Sequence, residues 1–132
     1  MNERLRQLED NIAELELFKR KHSSEEIKND TTKEWALRYG LLESIQIVID
    51  ISCHLVVHNN LGNAETYGDC IELLRKFDYI DDKLSKRLKA MAGLRNILVH
   101  EYVTVDIDRL YHLLDNLDDF NRFAKAVKLE GL

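Results

Sequence analysis

The 132-residue sequence contains no proline, only five glycines and only two cysteines. A β-sandwich or β-barrel of this size needs many turns, so the scarcity of turn residues argues against both folds. Cys53 and Cys70 are too few for a disulfide scaffold, and their spacing fits neither a zinc ribbon nor a CxxC redox motif. We therefore expect both cysteines to be reduced, small, buried side chains.

The sequence also lacks an apolar segment of the kind that targets or anchors a protein. Its N-terminus alternates charged residues with leucine, and its longest central apolar run is interrupted by Asp50. We expect neither a secretory signal nor a membrane span, and a cytoplasmic location. Nineteen basic and 24 acidic residues give a net charge of −5, which argues against a nonspecific nucleic-acid coat protein. The length predicts a single domain over 1–132.

The hydrophobic pattern predicts an all-α, up-and-down helical bundle of about five helices. These helices are expected at about 2–22, 32–59, 64–77, 82–98 and 106–127. A short turn is expected over 24–28. Thr31 and Glu34 have the spacing of a capping box at the start of the second helix, and Asp81 is the expected N-cap of the fourth.

The second predicted helix, 32–59, carries apolar residues on more than one face. Besides core positions such as Leu41 and Ile45, it has Trp35 and Tyr39. A helix that is apolar on several faces is normally buried on several faces. In so small a protein this predicts a second packing surface, such as a homodimer interface.

The end of the fourth helix combines small, polar and apolar residues. Gly93 costs a helix interior about 1 kcal/mol relative to alanine, which suggests that another backbone or a ligand comes close. Arg95, Asn96, His100 and Tyr102 surround an apolar triplet. On a straight helix Arg95 and His100 point about 140° apart, so they converge only if the helix ends there or two copies meet.

The stretch MAGLRNILVHEY, from Met91 to Tyr102, resembles the signature of the HEPN superfamily, and more narrowly that of the HepT toxins of HepT–MntA pairs. The matching motif is Arg95-x4-His100-x-Tyr102, with Asn96 after the arginine. The order of the helices and the long second helix fit the same family. The resemblance therefore extends over nearly the whole chain, although only the motif is specific.

The resemblance implies a homodimeric HEPN-like bundle that acts as a metal-independent endoribonuclease, with no cofactor. Arg95 and His100 would be catalytic in a cleft between the two subunits, and Asn96 would support the site. The implied partners are an RNA substrate and a minimal, MntA-like nucleotidyltransferase antitoxin. That antitoxin would transfer AMP to Tyr102 and silence the toxin.

The chemistry of these side chains agrees with RNA cleavage. Histidine titrates near neutrality and can act as general base or acid, and arginine presents a fixed fork of donors to phosphate oxygens. The helix that carries the motif is also rich in basic residues, and this local excess would attract RNA despite the net charge of −5. These residues are Lys83, Lys86, Arg87, Lys89 and Arg95.

Other functions remain open at this point. Arg95 alone is also explained by an interhelical salt bridge. The chain could be a non-catalytic HEPN-like binding or dimerisation module that partners a nucleotidyltransferase, or a plain structural bundle. His54 and His58 stand at i and i+4, but the glutamate of HExxH and a third ligand are missing, so we expect no metal site.

Overall fold

The computed structural model describes residues 1–100 and 106–131, apart from the side chain of His100. The part of the chain that it describes is helical and contains no strand, which confirms the predicted all-α class. The α-helices are α1 (Asn2–Lys21), α2 (Ser24–Lys28), α3 (Thr31–His58), α4 (Tyr67–Lys76), α5 (Asp82–His100), α6 (Ile107–Leu113) and α7 (Asp118–Leu129). One 3₁₀ turn, Leu114–Asn116, joins α6 to α7.

The five predicted helices are all present, but the last is divided. The sequence predicted one helix over 106–127, whereas α6, the 3₁₀ turn and α7 follow one another there. Asp115 and Asn116 lie in the 3₁₀ turn. Both side chains compete for backbone hydrogen bonds and therefore weaken a helix interior. The apolar period continues across the break, so the pattern alone did not reveal it.

The helix starts depend on side-chain caps. The predicted capping box of Thr31 and Glu34 is wrong, because Asp30 caps α3 by accepting hydrogen bonds from the amides of Thr32 (3.0 Å) and Lys33 (3.3 Å). An aspartate one residue earlier satisfies the same unpaired amides. Asp81 accepts a hydrogen bond from the Leu84 amide at 2.7 Å, as predicted.

Helix α3 forms the centre of the bundle and packs against α1, α4 and α5. By length and composition it could cross a membrane, since its most apolar 18-residue window has a mean hydropathy of 1.6. However, 56% of that window is buried inside the bundle. The hydropathy of α3 is therefore explained by its position in the core.

Helix α3 also has an apolar face that residues 1–100 and 106–131 leave uncovered. Trp35 is 66% exposed and Tyr39 is 65% exposed. Exposed aromatic residues on the central helix of the bundle are what a second packing surface requires. The predicted interface on this helix stays a prediction.

A glycine lets the first and third helices approach closely. A Cβ atom built on Gly40 of α3 would lie 2.9 Å from Cδ2 of Leu15 on α1. Real Cβ atoms essentially never approach so closely, so a larger residue at position 40 would force the Leu15 side chain to shift. Leu15 is buried, and the contact extends the core of the bundle to its N-terminal helix.

The expectation of two reduced cysteines is wrong. Cys53 of α3 and Cys70 of α4 form a disulfide, with their Cα atoms 5.1 Å apart. That separation lies within the range that a disulfide spans. The count and spacing of cysteines could not predict the bond, because it depends on how closely α3 and α4 pack. The disulfide fastens the start of α4 to the central helix.

Reduction of this disulfide should lower the free energy of unfolding by about 3 kcal/mol, because the bond closes a short loop in the unfolded chain. The two cysteines are 17 residues apart. Urea unfolding with and without reductant measures the effect. A variant with both cysteines replaced by serine should be insensitive to reductant, and an identical midpoint for the parent protein in both conditions would contradict the prediction.

Candidate active site around Arg95

Arg95 lies on α5, and its guanidinium is held by two amide side chains. Its Nε donates to Oε1 of Gln46 on α3 at 2.8 Å. Its Nη1 donates to Oδ1 of Asn96 at 3.2 Å. A hydrogen bond at Nε fixes the plane of the guanidinium, and the outer edge keeps donors for a ligand. The structure therefore brings together two of the predicted site residues, Arg95 and Asn96.

Gln46 is itself held in place by a second set of contacts. Its Nε2 donates to Oδ1 of Asp50 one turn later on α3, at 2.8 Å. Asp50 forms an ion pair with Arg4 of α1. Because the Gln46 amide is engaged at both ends, its oxygen points towards Arg95. A connected polar network thus runs from α1 through α3 to the guanidinium on α5.

An aromatic ring from a third helix completes the surroundings of Arg95. Its Cζ atom lies 5.3 Å from the ring centroid of Tyr67, in the range of a cation–π interaction. Tyr67 is the first residue of α4 and lies within the capping box formed by Thr66 and Asp69. The capping box and the disulfide at Cys70 both fix this end of α4, and with it the ring.

The charge of Arg95 has no carboxylate partner among residues 1–100 and 106–131. Its described contacts are two amide oxygens and an aromatic ring. The interhelical salt bridge that would explain the arginine structurally is therefore absent from this part of the chain. A half-buried guanidinium held by neutral groups can pair with an anion such as phosphate.

Three of the other four cations of α5 are paired with carboxylates, and Lys86 pairs with Asp82 of its own helix. Lys89 pairs with Glu72 of α4, and Arg87 donates to the buried Asp119 at 3.0 Å. Hydrogen bonds from Arg75 and Lys89 lower the pKa of Glu72 to about 2, so its charge persists at any physiological pH. These pairs reduce the predicted excess of positive charge on α5, and Arg95 differs from the paired cations in being held by neutral groups.

A cavity of about 540 Å³ borders Arg95 through two of its contacts, Tyr67 and Asn96. Among the described residues, no neighbouring element has an atom within 4 Å of a Cβ built on Gly93, and this glycine lines the cavity. The predicted approach of another backbone to Gly93 is therefore not found within the described part of the chain. Space for a ligand is found there instead.

His100 and Tyr102 are not tested by the structure. His100 is the last residue of α5, but its side chain lies outside the described residues, and so does all of Tyr102. Two other functional candidates, Gln46 and Tyr67, were missed by sequence reasoning. Gln46 offered a signal, since it is a polar residue between the buried Ile45 and Ile47 of α3.

The two histidines of α3 lie one turn apart on the helix. The rings of His54 and His58 stack with their centroids 5.4 Å apart. Across the ranges that the structure describes, no group of three or more residues is placed to bind a metal ion. Stacking on the helix surface accounts for this pair.

Comparison with known proteins gives consistent matches over the whole bundle. A model of the family described as "Ribonuclease HepT-like" matches residues 8–127. The chain is 33% identical, over 106 residues and 80% of both sequences, to the mRNA nuclease HepT of Shewanella oneidensis.

Solved structures share the same fold. A mutant MntA–HpeT toxin–antitoxin complex contains a chain with a TM-score of 0.87 and 26% identity, covering 96% of both chains. The tri-AMPylated Shewanella oneidensis HEPN toxin, in complex with its MNT antitoxin, has a TM-score of 0.82 and 28% identity. That match covers 98% of this chain and 99% of the toxin.

Proposed function

Because the chain belongs to the ribonuclease HepT-like family, we propose that it is the toxin ribonuclease of a toxin–antitoxin pair and cleaves RNA without a metal. The observation that carries this proposal is the set of contacts made by Arg95, whose guanidinium is oriented by Gln46, Asn96 and Tyr67. A structural arginine is normally paired with a carboxylate. An arginine that is oriented by neutral groups can instead bind the negative charge of a phosphodiester.

In the proposed reaction Arg95 binds the scissile phosphate, and Asn96 supports it. His100 accepts the proton of the ribose 2′-hydroxyl, whose oxygen attacks the phosphorus. The P–O5′ bond then breaks, and the leaving 5′-oxygen takes a proton from a second histidine. The products carry a 2′,3′-cyclic phosphate and a 5′-hydroxyl, so atoms and charge balance without a metal ion. Arg95 stabilises the negative charge that develops on the phosphorane.

The second histidine is His100 of another copy, since we propose that the active form is a homodimer. Trp35 and Tyr39 are exposed on α3 and line a groove that also includes Leu98 of α5. Leu98 lies between Arg95 and His100 on the motif helix. A dimer that covers this groove would therefore place the two motif helices beside each other.

Replacing Trp35 by aspartate should convert the dimer to a monomer, because it buries a charge in an apolar contact. Sedimentation velocity at micromolar concentration measures the mass. Val57→Asp is the matched control, because Val57 lies on the same helix and is 81% exposed. A W35D protein that sediments as the parent does would contradict an interface at this groove.

The proposed partner is an MntA-like nucleotidyltransferase antitoxin that transfers AMP to the hydroxyl of Tyr102. The added phosphate would lie two residues from His100 in the sequence. It would compete for Arg95 and repel the RNA backbone, which gives a physical reason for silencing. The protein would act in the cytoplasm, where ATP, the antitoxin and RNA occur together.

Tyr102→Phe should abolish silencing by the antitoxin, because it removes the oxygen that accepts AMP. We expect the Y102F protein to gain no AMP mass when incubated with antitoxin and ATP, and to keep cleaving RNA. The parent protein should gain AMP and lose activity in the same mixture. A Y102F protein that is modified and silenced equally would show that another residue accepts AMP.

The products of cleavage test the proposed function itself. AMP-free protein is incubated with messenger, transfer and ribosomal RNA, and the new ends are analysed chemically. We expect 2′,3′-cyclic phosphate and 5′-hydroxyl ends. Products with 3′-hydroxyl and 5′-phosphate ends would exclude attack by the 2′-hydroxyl. No cleavage of any RNA would favour the alternative of a non-catalytic binding module.

A further inference from the structure

We propose that the cavity lined by Tyr67, Gly93 and Asn96 is a nucleobase subsite, which binds a base next to the phosphate held by Arg95. This inference rests on the proposed function, since it assigns part of the RNA substrate to a place in the same site. It adds a binding surface, on α4 and α5, that the motif residues do not include.

The cavity has a suitable size and position for part of a nucleotide. Its volume of about 540 Å³ falls within the range of about 300–1,000 Å³ that is typical of small-molecule sites. Tyr67 and Asn96 line it, and both also contact the Arg95 guanidinium. Phosphate and base are joined through one sugar. A phosphate on Arg95 would therefore place a neighbouring base beside these two side chains.

The charges around the cavity favour a base over a second phosphate. Lys89 lines the cavity, but it is paired with the Glu72 carboxylate. Glu65 also lines the cavity, and the carboxylate of Asp69 accepts hydrogen bonds from the amides of Glu65 (3.0 Å) and Thr66 (3.2 Å). An anion inside the cavity would meet these acidic groups, whereas an uncharged base would not be repelled.

The lining groups can recognise a base in two ways. Tyr67 is 39% exposed, and aromatic rings of this kind stack on nucleobases in single-stranded RNA. Asn96 is exposed and carries an amide that can hydrogen-bond to a base edge. Stacking is tolerant of sequence, so the subsite is expected to bind any base and to favour one only through hydrogen bonds.

Gly93 is the position where the subsite can be blocked without disturbing the core. It is exposed on α5, and in the described part of the chain no neighbouring element has an atom within 4 Å of a Cβ built there. Leucine or methionine at this position would extend into the cavity, whereas alanine would add one methyl group and leave most of it open. None of these three substitutions removes a contact within the bundle, and each replaces glycine by a better helix former.

The test uses Gly93→Leu and Gly93→Met, with Gly93→Ala as the matched control, each combined with His100→Ala to prevent cleavage. Binding is measured to a 12-nucleotide uridine RNA and to an abasic sugar–phosphate chain of the same length. We expect the two large side chains to weaken binding of the RNA by about tenfold, which is the loss expected when one stacked base is displaced. Binding of the abasic chain should be unchanged, and Gly93→Ala should resemble the parent.

Two results would overturn the subsite. The first is that Gly93→Leu and Gly93→Met bind the RNA as tightly as Gly93→Ala does. The second is that they weaken binding of the RNA and binding of the abasic chain by the same factor. Circular dichroism and sedimentation of each variant show whether fold and assembly are retained. If unsubstituted protein cleaves RNA while either result holds, only the subsite fails. If it neither binds nor cleaves RNA, the proposed function fails and the subsite with it.

Discussion

Replacing Arg95 by alanine is expected to lower the rate of RNA cleavage by about 100- to 1,000-fold. This is the usual cost of removing one donor that stabilises negative charge in a transition state. Arg95→Lys should retain part of the activity, because lysine keeps the charge but loses the planar fork that Gln46 orients. Initial rates on a defined RNA, with AMP-free protein, measure both effects. Arg122→Ala is the control, since Arg122 is an exposed arginine of α7.

Substitution of Gln46 tests whether RNA cleavage requires the groups around Arg95 to be neutral. Gln46→Glu would place a carboxylate at the 2.8 Å contact with Nε and satisfy the guanidinium internally. We expect this variant to bind and cleave RNA less well than Gln46→Ala, although glutamate preserves the shape of the side chain. Equal activity of Q46E and the parent protein would show that the charge of Arg95 is not used on the substrate.

Phe123→Ala is expected to lower the free energy of unfolding by about 3–5 kcal/mol, the usual cost of truncating a buried aromatic side chain. Phe123 is 0% exposed and lies on α7, which packs against α1 and α5. Typical domains are stable by only about 5–15 kcal/mol, so the loss is a large fraction of the total. Urea unfolding monitored by circular dichroism measures it.

The control for this change lies on the same helix. Leu129 is 79% exposed, and Leu129→Ala should alter the free energy of unfolding by less than about 0.5 kcal/mol. If F123A and L129A unfolded at the same urea concentration, α7 would not belong to the cooperative core. The site on α5 would then not depend on the packing of the C-terminal helix.

Much of the fold could be predicted from the sequence because helices are encoded locally. The apolar period along the chain defined five helical segments, and the absence of proline left long helices unbroken. The predicted cap at Asp81 was correct, because a capping hydrogen bond joins residues only three positions apart and is therefore readable from the local sequence. The cap of α3 was misplaced by one residue, since Asp30, Thr31 and Thr32 are all suitable cap residues and sequence alone does not choose between them.

The candidate site was only partly predictable, because most of it depends on contacts between helices. Arg95 and Asn96 are adjacent in the sequence and were identified together. Gln46 lies 49 residues before Arg95, and its role follows only from the packing of α3 against α5. The disulfide between Cys53 and Cys70 escaped prediction for the same reason. The neutralisation of Lys89 by Glu72 likewise required two helices to be placed side by side.

The most direct test of the central claim is RNA cleavage in excess EDTA by AMP-free protein, compared with the His100→Ala variant. Intact mass must first show that Tyr102 carries no AMP. The account predicts cleavage by the parent protein and none by H100A, which would establish a metal-independent ribonuclease that uses His100. Equal cleavage by both proteins, or no cleavage by the parent in EDTA with full activity when Mg²⁺ is restored, would contradict it.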